Sequence, residues 1–411
     1  MDSMSHPKLA SVSDVSQQSP DPQRVPAGAA RPLSAEQLVR TRVWVEVDLQ
    51  ALANNIRLIL KQIHPAQMLL TVKKDAYGHG LLPVARVAEE VGVDYLGVAC
   101  VGEGVALRST GIAMPILNLG LALAEEIESA VANHIDLTVA TLDDARQIAE
   151  IARPLDRRAR AHLKIDTGMG RLGLFPEQLL DQVDAMAVLP DLEWIGLYSH
   201  LADVAGNPQL TREQLDRFQR VTEAMRSWLK LRHLGASGAI GDQRLHFDML
   251  RVGIAAYGAD SGARDFEPVL AFKSRIVFIK DFPPGRPISY GATYVTREPT
   301  RVGVVAAGYG NGYPRLVSNR GYVLVGGRVA PILGRICMDQ MMISLNGHPE
   351  ASVGDPVLLF GRQDDDSLPV WKVAEWAETI AYEVLCSVGT MNPRVYLRSA
   401  GPGGKSATGV V

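Results

Sequence analysis

The chain has 411 residues, 47% of them hydrophobic, and a formal net charge of -3. This length exceeds what one hydrophobic core usually supports, which predicts two folded domains. The near-neutral charge gives no basic footprint for nucleic acid and leaves a globular enzyme acting on a small molecule as the expectation.

Residues 1–40, rich in Ser, Pro, Gln and Ala, hold no apolar stretch long enough for a signal-peptide core or a membrane span. Asp2, Asp14 and Asp21 argue against a transit peptide, so a disordered tail is expected there, with a second one at 401–411. From Thr41, short apolar runs alternate with amphipathic helical stretches such as Leu210–Leu229, the rhythm of βα units. Eight runs read as buried strands: Met68–Lys73, Tyr95–Ala99, Ile116–Leu119, Asp136–Val139, Ala161–Asp166, Trp194–Ser199, His233–Ser237 and Met249–Ala255. They predict an α/β fold, a (β/α)₈ TIM-type barrel over 41–272. Val43–Val47 is left over and is expected to pair with the second domain.

After Phe272 the texture changes to β-branched runs broken by Gly and Pro: Arg275–Ile279, Arg301–Ala306, Tyr322–Val325 and Pro356–Phe360, with one helical segment near Lys372–Ile380. This predicts a mainly β C-terminal domain over 273–400, with Asp364–Asp366 as a solvated loop tip. Cys100, Cys337 and Cys386 each lie in an apolar run that reads as buried. No disulfide framework is expected, and a reducing, cytoplasmic setting is.

In a barrel enzyme the C-terminal strand ends face the site. Strand one ends in Lys73, strand five runs through Lys164 to Arg171, and strand six delivers His200. A lysine leaving an apolar strand needs a partner, a lowered pKa or a covalent bond; Schiff-base chemistry meets that need, and snorkelling to the barrel mouth meets it equally. The loops after strands seven and eight commonly bind phosphate. Here they are Gly235-Ala236-Ser237-Gly238 and Arg251-Val252-Gly253-Ile254, small residues with a hydroxyl and a close backbone approach. Together with Arg171 and Arg251, they describe a site for a phosphorylated aldehyde cofactor, and pyridoxal phosphate fits best.

The run Val72-Lys73-Lys74-Asp75-Ala76-Tyr77-Gly78-His79-Gly80 resembles the cofactor-lysine signature of alanine racemases. Leu163–Gly173, Arg251–Ile254, Ser289–Tyr294 and Cys337–Gln340 follow in the family's order, so the resemblance covers Thr41 to Arg398. It implies that Lys73 anchors the cofactor and removes the α-proton of the D-enantiomer, while Tyr290 of a second subunit serves the L-enantiomer. It further implies that Tyr77, Ser237, Gly253, Ile254 and Tyr382 hold the phosphate, and that Arg251, with His200 beside it, faces the ring nitrogen. Arg171 and Met338 would meet the substrate carboxylate. Lys164, a carbamate in many members, would support Arg171, with Asp339 and Tyr309 as further supporting residues. The implied activity is interconversion of L- and D-alanine for peptidoglycan, by a homodimer with no nucleic-acid or membrane partner.

The sequence departs from the common pattern at Lys74, Asp75, Ala236 and Gly310-Asn311. None is a proposed catalytic group, but they change the pocket wall, so a preference for serine or broader specificity stands as an alternative. A related decarboxylase would place a carboxylate, not Arg251, against the ring nitrogen. A non-catalytic cofactor carrier would leave the second domain and Tyr290 unexplained. A metal-dependent hydrolase could draw on His79, His162, His200 and His233, but lacks the His-x-His pair of such barrels.

Overall fold

The computed structural model describes residues 35–225, 229–260 and 265–398. Most of the two expected tails lies outside this range. Residues 35–40 of the first tail instead form a helix, Ala35–Arg40, because the Arg275 guanidinium gathers the Leu38 and Thr41 carbonyls and ties the segment to the second domain.

Eight parallel strands build a barrel: β2 (Gln67–Thr71), β3 (Tyr95–Val98), β4 (Ile116–Asn118), β5 (Ile135–Val139), β6 (Ala159–Lys164), β7 (Leu192–Tyr198), β8 (Leu231–His233) and β9 (Met249–Val252). Neighbours pair in sequence order, β9 returns to β2, and a bridge between Ala236 and Arg251 closes the ring. The seventh expected strand is shorter than its apolar run. Of His233–Ser237, the continuous ladder ends at His233, Ala236 makes only the single bridge to Arg251, and Ser237–Ala239 curls into a 3-10 turn.

Helices jacket the barrel. In Leu49–Ile63, the Asp48 carboxylate accepts the Gln50 and Ala51 amides as the N-cap, and Leu49, Leu52, Ile56, Ile59 and Ile63 recur on one buried face. These positions dictate both where the helix starts and which side it buries.

The second unit is a nine-stranded sheet. Its long strand β10 (Leu270–Phe282) pairs with β13 (Thr300–Val305) and β17 (Pro356–Gln363), and β1 (Val43–Asp48) lies antiparallel to β10, as expected for that leftover run. On its other side β1 runs parallel to β19 (Arg394–Leu397), so both ends of the described chain meet in one sheet. A small hairpin, β11 (Pro287–Ile288) and β12 (Tyr294–Val295), projects from it. Asp364–Asp365 turn the hairpin between β17 and β18 (Asp366–Leu368).

Two expectations fail in the second unit and in the core. The helix expected at Lys372–Ile380 is Val370–Trp376, and a further helix, Ala381–Met391, was not anticipated. Its β-branched and glycine-bearing sequence has weak helix propensity, and packing decides it. The cysteines are not fully buried either: Cys100 is exposed and Cys337 half-buried, both where strands give way to loops, and Cys386 is half-buried on a helix face that packs against the core. No helix among the described residues is long and apolar enough to cross a membrane.

Candidate active site

Lys73 does not end a strand. β2 stops at Thr71, and Lys73 opens a short turn in which Lys74, Asp75, Ala76 and Tyr77 all have φ between 52° and 54°. Non-glycine residues occupy this left-handed region at a cost, so the turn needs restraint. Lys74 donates its amide to Glu103 Oε1 (2.6 Å), Asp75 Oδ1 accepts the Leu81 amide (2.6 Å), and Asp75 Oδ2 pairs with the buried Arg394 of the second unit (2.5 Å). Helix Ala381–Met391 seals the same turn: a Cβ on Gly78 would lie 2.6 Å from the Leu385 carbonyl. The result presents Lys73 half-buried at the barrel mouth. Its amine titrates below the ordinary lysine range through burial first and the Arg171 charge second.

Across the mouth, Arg251 is 5% exposed. Its NH1 donates to His233 Nδ1 (3.0 Å) and the His233 carbonyl (2.9 Å). Its NH2 donates to the carbonyls of Ser199 (2.6 Å) and Leu234 (2.9 Å) and lies 3.3 Å from His200 Nδ1. Both terminal nitrogens are committed to the protein, and among the described residues Nε is the donor of this guanidinium left without a partner. Burial lowers Arg251 to about 10, which leaves it charged at neutral pH. His200 falls to about 3 under burial and then the charges of Arg251, Lys164, Arg171 and Lys73. Lys164, 4% exposed, sits 4.7 Å over the Tyr198 ring; burial, Arg251 and Arg171 hold its amine well below the usual lysine range. Arg171 is positioned by Asp166, whose carboxylate accepts the amides of Gly168, Met169 and Arg171.

The loops after β8 and β9 meet as a cradle. Ser237 Oγ accepts the Gly253 amide (2.9 Å) and the Ala255 amide (3.3 Å), and Ile254 is buried between them. The Tyr77 hydroxyl stands over Gly253, where a Cβ would come within 2.7 Å of it. Tyr382 stacks edge-on to Tyr77 at 5.5 Å. Hydroxyls, backbone amides and a side-chain-free approach form a donor set for a phosphate, and the Arg251 Nε faces the requirement of a ring nitrogen acceptor. These residues therefore fit pyridoxal phosphate.

Ten residues singled out in the sequence gather at this mouth: Lys73, Tyr77, Lys164, Arg171, His200, Ser237, Arg251, Gly253, Ile254 and Tyr382. Four do not. Tyr290, on the loop of the β11–β12 hairpin, is 69% exposed in the single chain. Ser289 (φ 64°) holds that loop by a hydrogen bond to the Arg335 carbonyl (2.5 Å). Tyr309 and Gly310 dock by their amides on the carbonyls of Cys337 (3.1 Å) and Met338 (2.8 Å), with Asp339 beside them. Tyr290, Tyr309, Met338 and Asp339 thus form a second cluster on the β unit.

Several neighbours of the site escaped the sequence reading. Glu103 supports the Lys73 turn, and Cys386, one helical turn beyond Tyr382, faces Lys73 closely enough to affect its charge. The spacing of 382 and 386 was a usable signal, but only once that helix is known. Of the four histidines weighed as metal ligands, His79 points to the Ala76 and Tyr77 carbonyls instead. No group of three or more His, Cys, Asp or Glu suited to a metal ion occurs among the described residues.

Residues 47–261 match the family model "Alanine racemase, N-terminal domain" and residues 269–396 match "Alanine racemase, C-terminal domain". The alanine racemase of Desulforamulus reducens is 40% identical over 368 residues, 86% of this chain and 99% of that one. The alanine racemase of Halothermothrix orenii is 37% identical over 369 residues, 87% of this chain and 97% of that one. Among solved structures, alanine racemase from Streptomyces coelicolor A3(2) superposes with a TM-score of 0.83 at 33% identity, covering 89% of this chain and 100% of that one. The Bacillus anthracis alanine racemase with bound L-Ala-P gives 0.78 at 32% identity, covering 87% and 95%.

Proposed function

Because the chain belongs to the alanine racemase family, we propose that Lys73 and Tyr290 are the two bases by which it interconverts L- and D-alanine. The enzyme is a pyridoxal-phosphate-dependent isomerase. The observation that carries the assignment is the pairing, across one barrel mouth, of a lysine of lowered pKa with an arginine whose only uncommitted donor is Nε.

Tyr77, Ser237, Gly253, Ile254 and Tyr382 would hold the phosphate, Arg251 the ring nitrogen, and Lys73 the aldehyde carbon. When bound, the cofactor withdraws electrons from the substrate α-carbon and makes its proton acidic. Arg251 keeps its own protons, since guanidinium is the stronger base, and so donates a hydrogen bond to the ring nitrogen without protonating it. Arg171, whose amide the Asp166 carboxylate anchors, would meet the substrate carboxylate, and the Met338 backbone of a second copy would contact it too.

Racemisation takes a proton from one face of the α-carbon and returns one to the other. Lys73 Nζ is suited to one face, because burial and then the Arg171 charge lower its pKa and so favour the amine form that accepts a proton. Tyr290 would serve the other face from a second copy of the chain. The exposed cluster of Tyr290, Tyr309, Met338 and Asp339 is separate from the barrel mouth in one chain, and a homodimer that lays each cluster over its partner's mouth would complete both sites. Lys164 would bind carbon dioxide as a carbamate: its uncharged amine attacks the carbon and releases a proton, and the new anion meets Arg171. We place the enzyme in the cytoplasm, supplying D-alanine for peptidoglycan.

Incubating the purified enzyme with L-alanine, L-serine and a basic L-amino acid, and measuring each D-product, tests the activity and ranks the substrates. Alanine is expected first. A rank led by serine would favour the broader reading, and no racemisation of any substrate would overturn the proposal.

A further inference from the structure

Barrel interiors are normally filled by layers of branched apolar side chains. Here a row of polar groups crosses the interior instead. On β6, Arg160, His162 and Lys164 alternate, so all three point inward. His162 Nδ1 lies 3.0 Å from His233 Nε2 on β8, and His233 Nδ1 lies 3.0 Å from Arg251 NH1 on β9. At the other end His162 Nε2 lies 3.4 Å from Asp136 Oδ2 on β5, and the Asp136 carboxylate takes Arg160 Nε (2.6 Å) and NH2 (3.2 Å). Both imidazoles are fully buried and Asp136 is 1% exposed. Room has been left for the row: a Cβ on Gly196 of β7 would fall 2.7 Å from His162 Nδ1.

The proton positions along this row are forced. Guanidinium only donates, so His233 Nδ1 accepts from Arg251 and carries no proton. The His233 proton is then on Nε2, where it donates to His162 Nδ1. That leaves the His162 proton on Nε2, donating to Asp136. A second proton on either ring would set two donors face to face.

Building on the reading that Arg251 addresses the cofactor ring, we propose that His162 and Asp136 are positioning residues for racemisation, locking the His233 tautomer and through it the aim of Arg251 Nε. The row runs from the half-exposed Arg160 at the foot of the barrel to the residue that faces the cofactor. Removing the acceptor at its foot has a defined consequence at its head. With an amide at position 136 already engaged by Arg160, His162 gains by moving its proton to Nδ1, His233 must then move its proton to Nδ1, and that proton confronts Arg251 NH1. Arg251 has to turn, and Nε turns with it.

The first test is on the unaltered protein, with and without pyridoxal phosphate, by nitrogen-15 NMR of labelled histidine. His162 and His233 are expected to show an N–H at Nε2 and a bare Nδ1. A proton on Nδ1 of either ring overturns the proposal, whatever the enzyme does to alanine. The second test compares Asp136→Asn with Tyr95→Phe. Tyr95 also contacts Asp136 (3.3 Å) but stands outside the row. Asp136→Asn is expected to move both ring protons to Nδ1, shift the absorption band of bound cofactor, and lower kcat about tenfold to a hundredfold in both directions with KM within about twofold. Tyr95→Phe should retain wild-type tautomers and kcat. Unchanged kcat and spectrum in a folded Asp136→Asn protein would sink the idea. Inactivity of the wild type would instead remove the racemase reading and leave the tautomers standing.

Discussion

Gly253 offers a direct test of the cradle. A methyl group there would sit 2.7 Å from the Tyr77 hydroxyl, 3.2 Å from Cε2 and 3.4 Å from Cζ of the same ring. An ordinary contact begins near 3.4 Å, so the ring has to retreat by about 0.7 Å. It has little freedom, because Tyr257 and Tyr382 flank it with ring centroids 5.2 Å and 5.5 Å away. Overpacking of this kind costs about 1–3 kcal/mol. Since Tyr77 and Gly253 are both assigned to the phosphate, that displacement should fall on cofactor binding: about 2 kcal/mol raises the dissociation constant roughly 30-fold. Equilibrium titration of cofactor-free Gly253→Ala with pyridoxal phosphate measures it. Adding Tyr77→Phe removes the nearest atom, so the double variant should bind no worse than Tyr77→Phe alone, a coupling expected of touching residues. Gly253→Ala binding within twofold of wild type would refute the cradle as drawn.

Tyr290→Phe should abolish solvent exchange of the α-proton of L-alanine by a hundredfold or more, while D-alanine still exchanges through Lys73; equal losses for both enantiomers would contradict two bases. If each site is shared between two copies, mixing inactive Lys73→Ala and Tyr290→Phe proteins should restore about a quarter of wild-type activity, since half the dimers are mixed and each has one intact site. No recovery after subunit exchange would argue for a site complete in one chain. His79 and His200 both titrate near 3 in the fold against an ordinary value of 6.5, mainly through burial. Between those limits the unfolded chain binds protons that the native one refuses, so stability is full above pH 6.5 and falls as pH drops towards 3, by about 1.4 kcal/mol per pH unit for each histidine. Unfolding free energies from urea titrations of wild type and His79→Asn at pH 7, 6 and 5 should diverge in slope by that amount, and parallel slopes would refute the assignment.

The sequence by itself determined the barrel, the change to a mainly β unit and the strand-end residues of the mouth, and its motif resemblance added the rest, Tyr382 among them. Strand and helix periods follow from which positions must be buried, and residues at strand ends lie together wherever a barrel forms. It also held a quieter signal, the inward alternation of Arg160, His162 and Lys164, whose meaning depends on what stands opposite. Only the tertiary structure decided that Asp136, His233 and Arg251 stand there, because those contacts join strands far apart in sequence. The same holds for the Lys73 turn. Nothing local favours four non-glycine residues at positive φ, and the turn survives because Arg394, Glu103 and helix Ala381–Met391 reach it from distant parts of the chain. Local preference chose the elements, and long-range hydrogen bonds and close packing chose where their chemistry points.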